Sequence, residues 1–191
     1  VIWADSTFFK VFSVDVLEGN PSTALAEPGG IAISRKTAVR YFGETHVLGK
    51  TLILDNRYSG KITAVYEDFP SASHFHFDII VSLTSDWPAA RHSRSTDLSR
   101  EEFTTYVLLK PGIDPRELEA KLPKFVTTYL GPHLAAAVDK SDMTKFVDNG
   151  NSYRLTLMPL RDIHLQSNLP GEFEPNGSIL YVYLLISAAA F

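Results

Sequence analysis

Strand-patterned and helix-patterned stretches follow one another in this chain without the regular strand–helix–strand order of a doubly wound parallel sheet. That order restricts the fold class to α+β. Extended stretches are expected at 14–17, 31–34, 51–54, 61–66, 77–82, 103–110 and 153–160. The pair 51–54 and 61–66 alternates like two strands of a hairpin, with Asp55-Asn56 and Ser59-Gly60 between them. In 77–82 the spacing places Phe77, Ile79 and Val81 on one face.

Three helices interrupt the strands. Asp5 or Ser6 can cap a first one, with Phe8, Phe9 and Phe12 on a single face. Ser34 caps the second, Ala38, Val39 and Phe42 point inward, and Gly43 ends it. Asp114-Pro115-Arg116-Glu117 starts the third, with Pro115 at the position where its missing N–H costs nothing and Glu117 completing a capping box. Its inward stripe is Leu118, Leu122, Phe125, Val126, Tyr129 and Leu130; Pro123 should kink or divide it, and Gly131-Pro132 should stop it. A weaker helix is expected over 133–138. Residues 84–102 and 140–151 read as irregular and polar. Turns at Asn20-Pro21 and Pro70-Ser71 predict two lobes, one built around a hairpin in residues 23–72 and inserted into the other.

Composition sets outer limits. The chain has 18 Lys plus Arg against 22 Asp plus Glu, a formal charge of −4, which argues against a nucleic-acid partner. Apolar residues at 45% and charged ones at 21% exclude global disorder. The absence of cysteine excludes disulfides, thiolate catalysis and Cys-ligated zinc.

No catalytic constellation emerges. His74, His76 and Asp78 would share one face if 74–78 were a strand, and could then supply three ligands to a divalent ion. The competing reading, a polar edge alternating with Phe75, Phe77 and Ile79, weighs more. Asp162 and His164 pair an acid with an imidazole, but no nucleophile is tied to them and no G-x-S-x-G elbow occurs. Glu67-Asp68 and Glu172/Glu174 are paired carboxylates in turn-like surroundings. Gly29-Gly30 lacks the Gly-Lys-Ser/Thr continuation of a phosphate-binding loop. The reading is therefore a non-enzyme with no catalytic, cofactor or metal residues and no cofactor.

The two ends carry more information. Val1-Ile2-Trp3 shows neither an initiator Met nor a signal-peptide pattern, so the chain reads as a segment of something longer. Residues 179–191 run thirteen positions without a charge. As a helix they would reach about 20 Å against a bilayer core of about 30 Å. They read as a buried terminal helix or as the start of a truncated transmembrane helix.

Several stretches, in order, resemble a known family. They are Ala4-Asp-Ser-Thr-Phe-Phe-Lys-Val-Phe12, Leu17-Glu-Gly-Asn-Pro21, Ile31-Ala-Ile-Ser-Arg-Lys-Thr-Ala-Val-Arg-Tyr-Phe-Gly43, Leu48-Gly-Lys-Thr-Leu52 and the strand ending Ala64-Val65. Together they resemble the MacB-like periplasmic core domain of FtsX-like ABC transporter permeases. Ser73-His-Phe-His-Phe-Asp78, Leu108-Leu-Lys-Pro-Gly112 and Pro159-Leu-Arg-Asp-Ile-His-Leu165 look like the version common in Bacteroidetes-type bacteria. The resemblance implies a two-lobed α+β body with a porter-like lobe, spanning residues 1–178, and a transmembrane helix beginning at 179–191. An open sheet edge is expected near residues 1–4, because family members carry further chain before that point.

The resemblance also implies a place at the bacterial inner membrane, with this domain on the periplasmic side. Implied partners are a cytoplasmic ABC ATPase reached through the parent permease, a second permease copy, and a periplasmic adaptor or outer-membrane channel. The implied role is docking of partners and transmission of ATP-driven conformational change. The alternative is an extracytoplasmic ligand-binding or sensor domain on a membrane protein without transport.

Overall fold

The computed structural model describes residues 1–71, 73–86, 103–133 and 154–163, with the single positions 167, 173, 177, 180, 183 and 187. The chain divides into two compact units, Val1–Ser95 and Thr96–Phe191.

The first unit is built on a mixed sheet. Its strands are β1 (Ile2–Ala4), β2 (Val16–Gly19), β3 (Gly30–Ser34), β4 (Thr51–Leu54), β5 (Tyr58–Tyr66) and β6 (Ile79–Ser82). They lie in the order β1-β6-β3-β5-β2, and β4 pairs with β5 alongside β2. Pairings β1–β6 and β3–β5 are parallel, and the other three are antiparallel. The expected hairpin is β4–β5, and β5 begins three residues earlier than the pattern predicts because Tyr58-Ser59-Gly60 continue the ladder. Asp55 and Asn56, at φ 50° and 56°, form the tight turn, closed by the Arg57 N–H on the Leu54 carbonyl at 3.0 Å.

Strands from within residues 23–72 thus pair with β2 before them and β6 after them. The turns at Asn20-Pro21 and Pro70-Ser71 are loops of this one sheet. β1 ends the strand order, so an edge does fall at residues 2–4 among the described residues.

Both faces of the sheet are covered. Every residue of β3 and of β6 is buried, which is why Gly-Ile-Ala-Ile-Ser and Ile-Ile-Val-Ser read as continuous runs rather than alternations. One face packs Ala32, Ala64, Tyr66 and Ile80 against Phe8, Phe9, Leu25, Phe75 and Phe77. The other packs Ile31, Ile33, Ile62, Val65, Ile79 and Val81 against Ala38 and Val47. Ile62 and Ala64 stand two apart yet face opposite ways. The register of β3 against β5 slips between Ile31 and Ala32, leaving Thr63 as the extra residue of a bulge. The Thr63 hydroxyl lies 2.6 Å from the Ala24 carbonyl and 3.1 Å from that of Ile31, which anchors the bulge.

Helices sit where their caps place them. α1 (Phe8–Val11) is a single turn with Thr7 as its cap residue; Asp5 instead accepts the Thr7 N–H and hydroxyl at 2.7 and 2.6 Å. α2 (Arg35–Phe42) has Ser34 at its start, accepting the Thr37 N–H, and left-handed Gly43 at its end. Thr37 and Ala38 are its buried residues, whereas Val39 is 49% exposed and faces solvent, against the expected stripe. Phe77 also departs from expectation. It precedes β6 and packs with the aromatic cluster, opposite Ile79 and Val81.

In the second unit, α3 (Pro115–Glu119) starts at Asp114, whose carboxylate accepts the Arg116 N–H at 2.9 Å. A break at Ala120-Lys121 precedes α4 (Leu122–Phe125), in which Pro123 occupies the first turn. A π-helical turn, Val126–Leu130, follows, and Gly131 keeps right-handed helical angles, so Gly131-Pro132 does not stop the helix. Leu118, Leu122, Val126 and Leu130 turn inward; Phe125 and Tyr129 lie outside as a tilted ring pair with centroids 5.1 Å apart. Residues 103–110 and 154–159 join no ladder among the described residues, so two expected strands are absent there. Lone apolar periodicity cannot make a strand without a partner edge. The expected segments at 87–102, 134–138 and 140–151 lie outside the described residues.

Gly19 ends β2 at φ +91°, and a Cβ there would stand 2.3 Å from the Thr63 carbonyl oxygen. Gly19→Ala should lose at least about 1 kcal/mol of stability, measured by urea unfolding.

Candidate functional site

Charged side chains concentrate where α2 leaves β3. Arg35 reaches Glu67 at 2.8 Å and Lys36 reaches Asp78 at 2.8 Å. The backbone N–H of Lys36, among the first of the helix and without an intrahelical acceptor, donates to the Asp68 carboxylate at 3.2 Å. Asp68 therefore complements the positive end of α2. The loop from β5 to β6 is pinned to this helix start by three carboxylates. Each surface pair contributes only about 0.2–1 kcal/mol, so the collar orients more than it stabilises. The hydrogen bond from Lys36 to Asp78 raises the lysine above its usual range.

Behind the collar lies Tyr66, buried among aromatic rings with its hydroxyl donating to the Phe77 carbonyl at 2.7 Å. Burial pushes the phenol well above its ordinary range, and the charges of Asp78 and Asp68 act in the same direction.

A second polar group lies on the loop from α2 to β4. Lys50 pairs with Glu44 at 2.5 Å, and this pairing lowers the Glu44 carboxyl. His46 Nδ1 meets the Glu18 carboxylate of β2.

The residues singled out by sequence do not converge. Residues 74–78 precede β6 rather than forming a strand, so the alternation that would gather His74, His76 and Asp78 is missing. The His76 ring lies 2.9 Å from the Pro70 carbonyl, His74 packs beside Phe75 and Phe12, and Asp78 is taken by Lys36. No group of three metal-ligating side chains forms among the described residues. Glu67 and Asp68 both serve α2. Gly29 donates its N–H to buried Ser85 at 2.9 Å, and Gly30 opens β3. Asp162 lies near Arg161 at 3.6 Å, while His164, Glu172 and Glu174 lie outside the described residues. Sequence reasoning missed the collar. Asp78 was visible only as a member of a local His-x-His-x-Asp pattern, whereas its partner lies on the far side of a hairpin.

What remains among the described residues is a mixed sheet buried on both faces, with its charged side chains in structural pairs. The family model for the MacB-like periplasmic core domain matches residues 1–125. The chain belongs to this family. A solved domain assigned to a permease protein of Porphyromonas gingivalis superposes at a TM-score of 0.51 with 24% identity, covering 66% of this chain and 58% of that one. That likeness shows a shared fold, and the chain spans 58% of that domain's length. No curated protein matches the chain. MacB-like periplasmic core domains are a family of periplasmic domains of ABC-type permeases. No helix among the described residues is long and apolar enough to cross a membrane.

Three outcomes are expected. Titration calorimetry with zinc ion should give only the heat of dilution, because His74, His76 and Asp78 point to different partners. Stability should fall as pH rises above the ordinary phenol range: the unfolded chain then releases a proton that native Tyr66 retains, so the unfolded state gains. Lys36 acts with the same sign, losing its contribution as it deprotonates. Tyr66→Phe should remove the phenol's share of the alkaline slope and cost about 1–2 kcal/mol at neutral pH by stranding the Phe77 carbonyl. Urea unfolding across pH measures both.

Proposed function

We propose that this MacB-like domain is a docking and transmission body of an ABC permease. It would move with the transmembrane helices when ATP drives the cytoplasmic subunits together. The observation that carries this reading is the family match over the whole of the first unit, joined to a unit built for rigidity. Its sheet is buried on both faces, and the collar ties α2 to the loop between β5 and β6. A load-transmitting part must move as one body, since packed cores respond by discrete shifts rather than by stretching.

In this proposal residues 1–178 form the extracytoplasmic domain as a two-lobed body, one lobe porter-like and the other carrying the hairpin. Residues 179–191 begin the helix that joins it to the membrane. A second permease copy, a cytoplasmic ABC ATPase, and a periplasmic adaptor or outer-membrane channel are its partners. The inner membrane of a bacterium is its setting, with this domain in the periplasm, and export or envelope remodelling is the work done.

The test is a distance measurement in the parent permease, reconstituted with its ATPase. A spin label on Tyr41→Cys, an exposed position of α2, should report a different distance between the two copies with trapped ATP than without nucleotide. An unchanged distance distribution in an ATPase-active complex would overturn the transmission role.

A further inference from the structure

We propose that β4 is a self-pairing edge, at which two copies of this chain join antiparallel strands about a two-fold axis through Leu52. The argument begins with the direction of backbone groups. In an antiparallel ladder, alternate residues of an edge strand bond to the neighbour while those between aim N–H and C=O away from it. Gly49, at φ +76°, and Lys50 together oppose Ile62: the Gly49 N–H donates to the Ile62 carbonyl at 2.8 Å, and the Ile62 N–H to the Lys50 carbonyl at 2.9 Å. That bulge sets the phase. Leu52 and Leu54 face Gly60 and Tyr58 across the ladder, so Thr51 and Ile53 direct their backbone groups outward. Among the described residues β4 pairs only with β5.

Edges of this kind are normally blunted by a charge, a proline or an inward-twisting bulge within the strand. Thr51-Leu52-Ile53-Leu54 contains neither charge nor proline, and the bulge lies before it. Its outward side chain, Ile53, is 60% exposed, while Leu52 and Leu54 rest against the core. Among the described residues the edge is therefore an unprotected template.

A second copy fits it by its own chemistry. With the axis at Leu52, Thr51 of each strand stands opposite Ile53 of the other, and these two residues exchange both backbone bonds. All four outward groups on each strand are then satisfied, giving four reciprocal hydrogen bonds. The two β-branched side chains pair on the outer face, a favourable cross-strand contact. Antiparallel alignment also brings the basic end of one strand, Lys50, beside the acidic turn of the other, Asp55, at both ends. No like charges oppose one another. The pairing rests on the edge alone and stands apart from the transmission role.

The chain contains no cysteine, so introduced thiols report without background. Thr51→Cys and Ile53→Cys alter exposed positions outside both core clusters. Mixed in equal amounts and oxidised, the full chains should form the 51–53 mixed disulfide at least about tenfold faster than either homodisulfide. Paired strands hold those two thiols at high effective concentration and about 5.5 Å apart at Cα. Ile53→Lys should abolish concentration-dependent dimerisation in sedimentation velocity while leaving the circular dichroism spectrum unchanged. Equal rates for all three disulfides, a dominant 53–53 product, a dimer that survives Ile53→Lys, or a wild-type chain monomeric at every concentration would each overturn the proposal. An unmoved spin-label distance at Tyr41 would not bear on it.

Discussion

Burial of β3 on both faces is the constraint on which the first unit depends. A strand covered above and below must be apolar wherever its side chains find no polar partner, and must find a neighbour on each side for its backbone groups. β5 supplies one neighbour in parallel and β6 the other in antiparallel. The mixed sheet follows from that, since β3 and β5 are joined through α2 and β4, long enough to return the chain in the same direction. The helix is then laid over Ile31, Ile33 and Val65, and the aromatic cluster over Ala32, Ala64 and Tyr66. Small residues in the strands on the aromatic side leave room for the rings of Phe8, Phe9, Phe75 and Phe77.

The Thr63 bulge makes that division possible. Without an extra residue, Ile62 and Ala64 would point the same way, and either the aromatic side would be overfilled or the helix side left with a void. The same device recurs at Gly49-Lys50, where it ends the pairing of β5 with one strand. There it aims Thr51 and Ile53 away from the sheet. One bulge tunes the core, and the other sets the phase of a surface edge.

The interior is tied together by the sheet and by the collar that fastens α2 to Glu67, Asp68 and Asp78. The exterior leaves apolar side chains exposed on the solvent side of α2, at Val39 and Tyr41, and on β4, at Ile53. Among the described residues, the histidines His46 and His76 and the carboxylates Glu67, Asp68 and Asp78 are taken up by structural partners.

Much was legible in the sequence by itself, because it was local. Ser34 and Gly43 announce both ends of α2, Asp114-Pro115 announces α3, and the apolar stretches 31–34 and 77–82 announce β3 and β6 as extended, all from signals within a few residues. The ordered motifs likewise sufficed to place the chain in its family. Tertiary structure alone decided the rest, because each remaining question depended on a partner distant in the chain. Residues 103–110 have strand composition but join no edge among the described residues. His74, His76 and Asp78 had ligand spacing, but no strand to gather them. Val39 had helical periodicity, yet it turns outward. Lys36 finds Asp78, and the outward phase of Thr51 and Ile53 exists only because a glycine bulge opposes Ile62. Spacing fixes what can face one way within an element, whereas charge pairing and strand register are fixed only when elements meet.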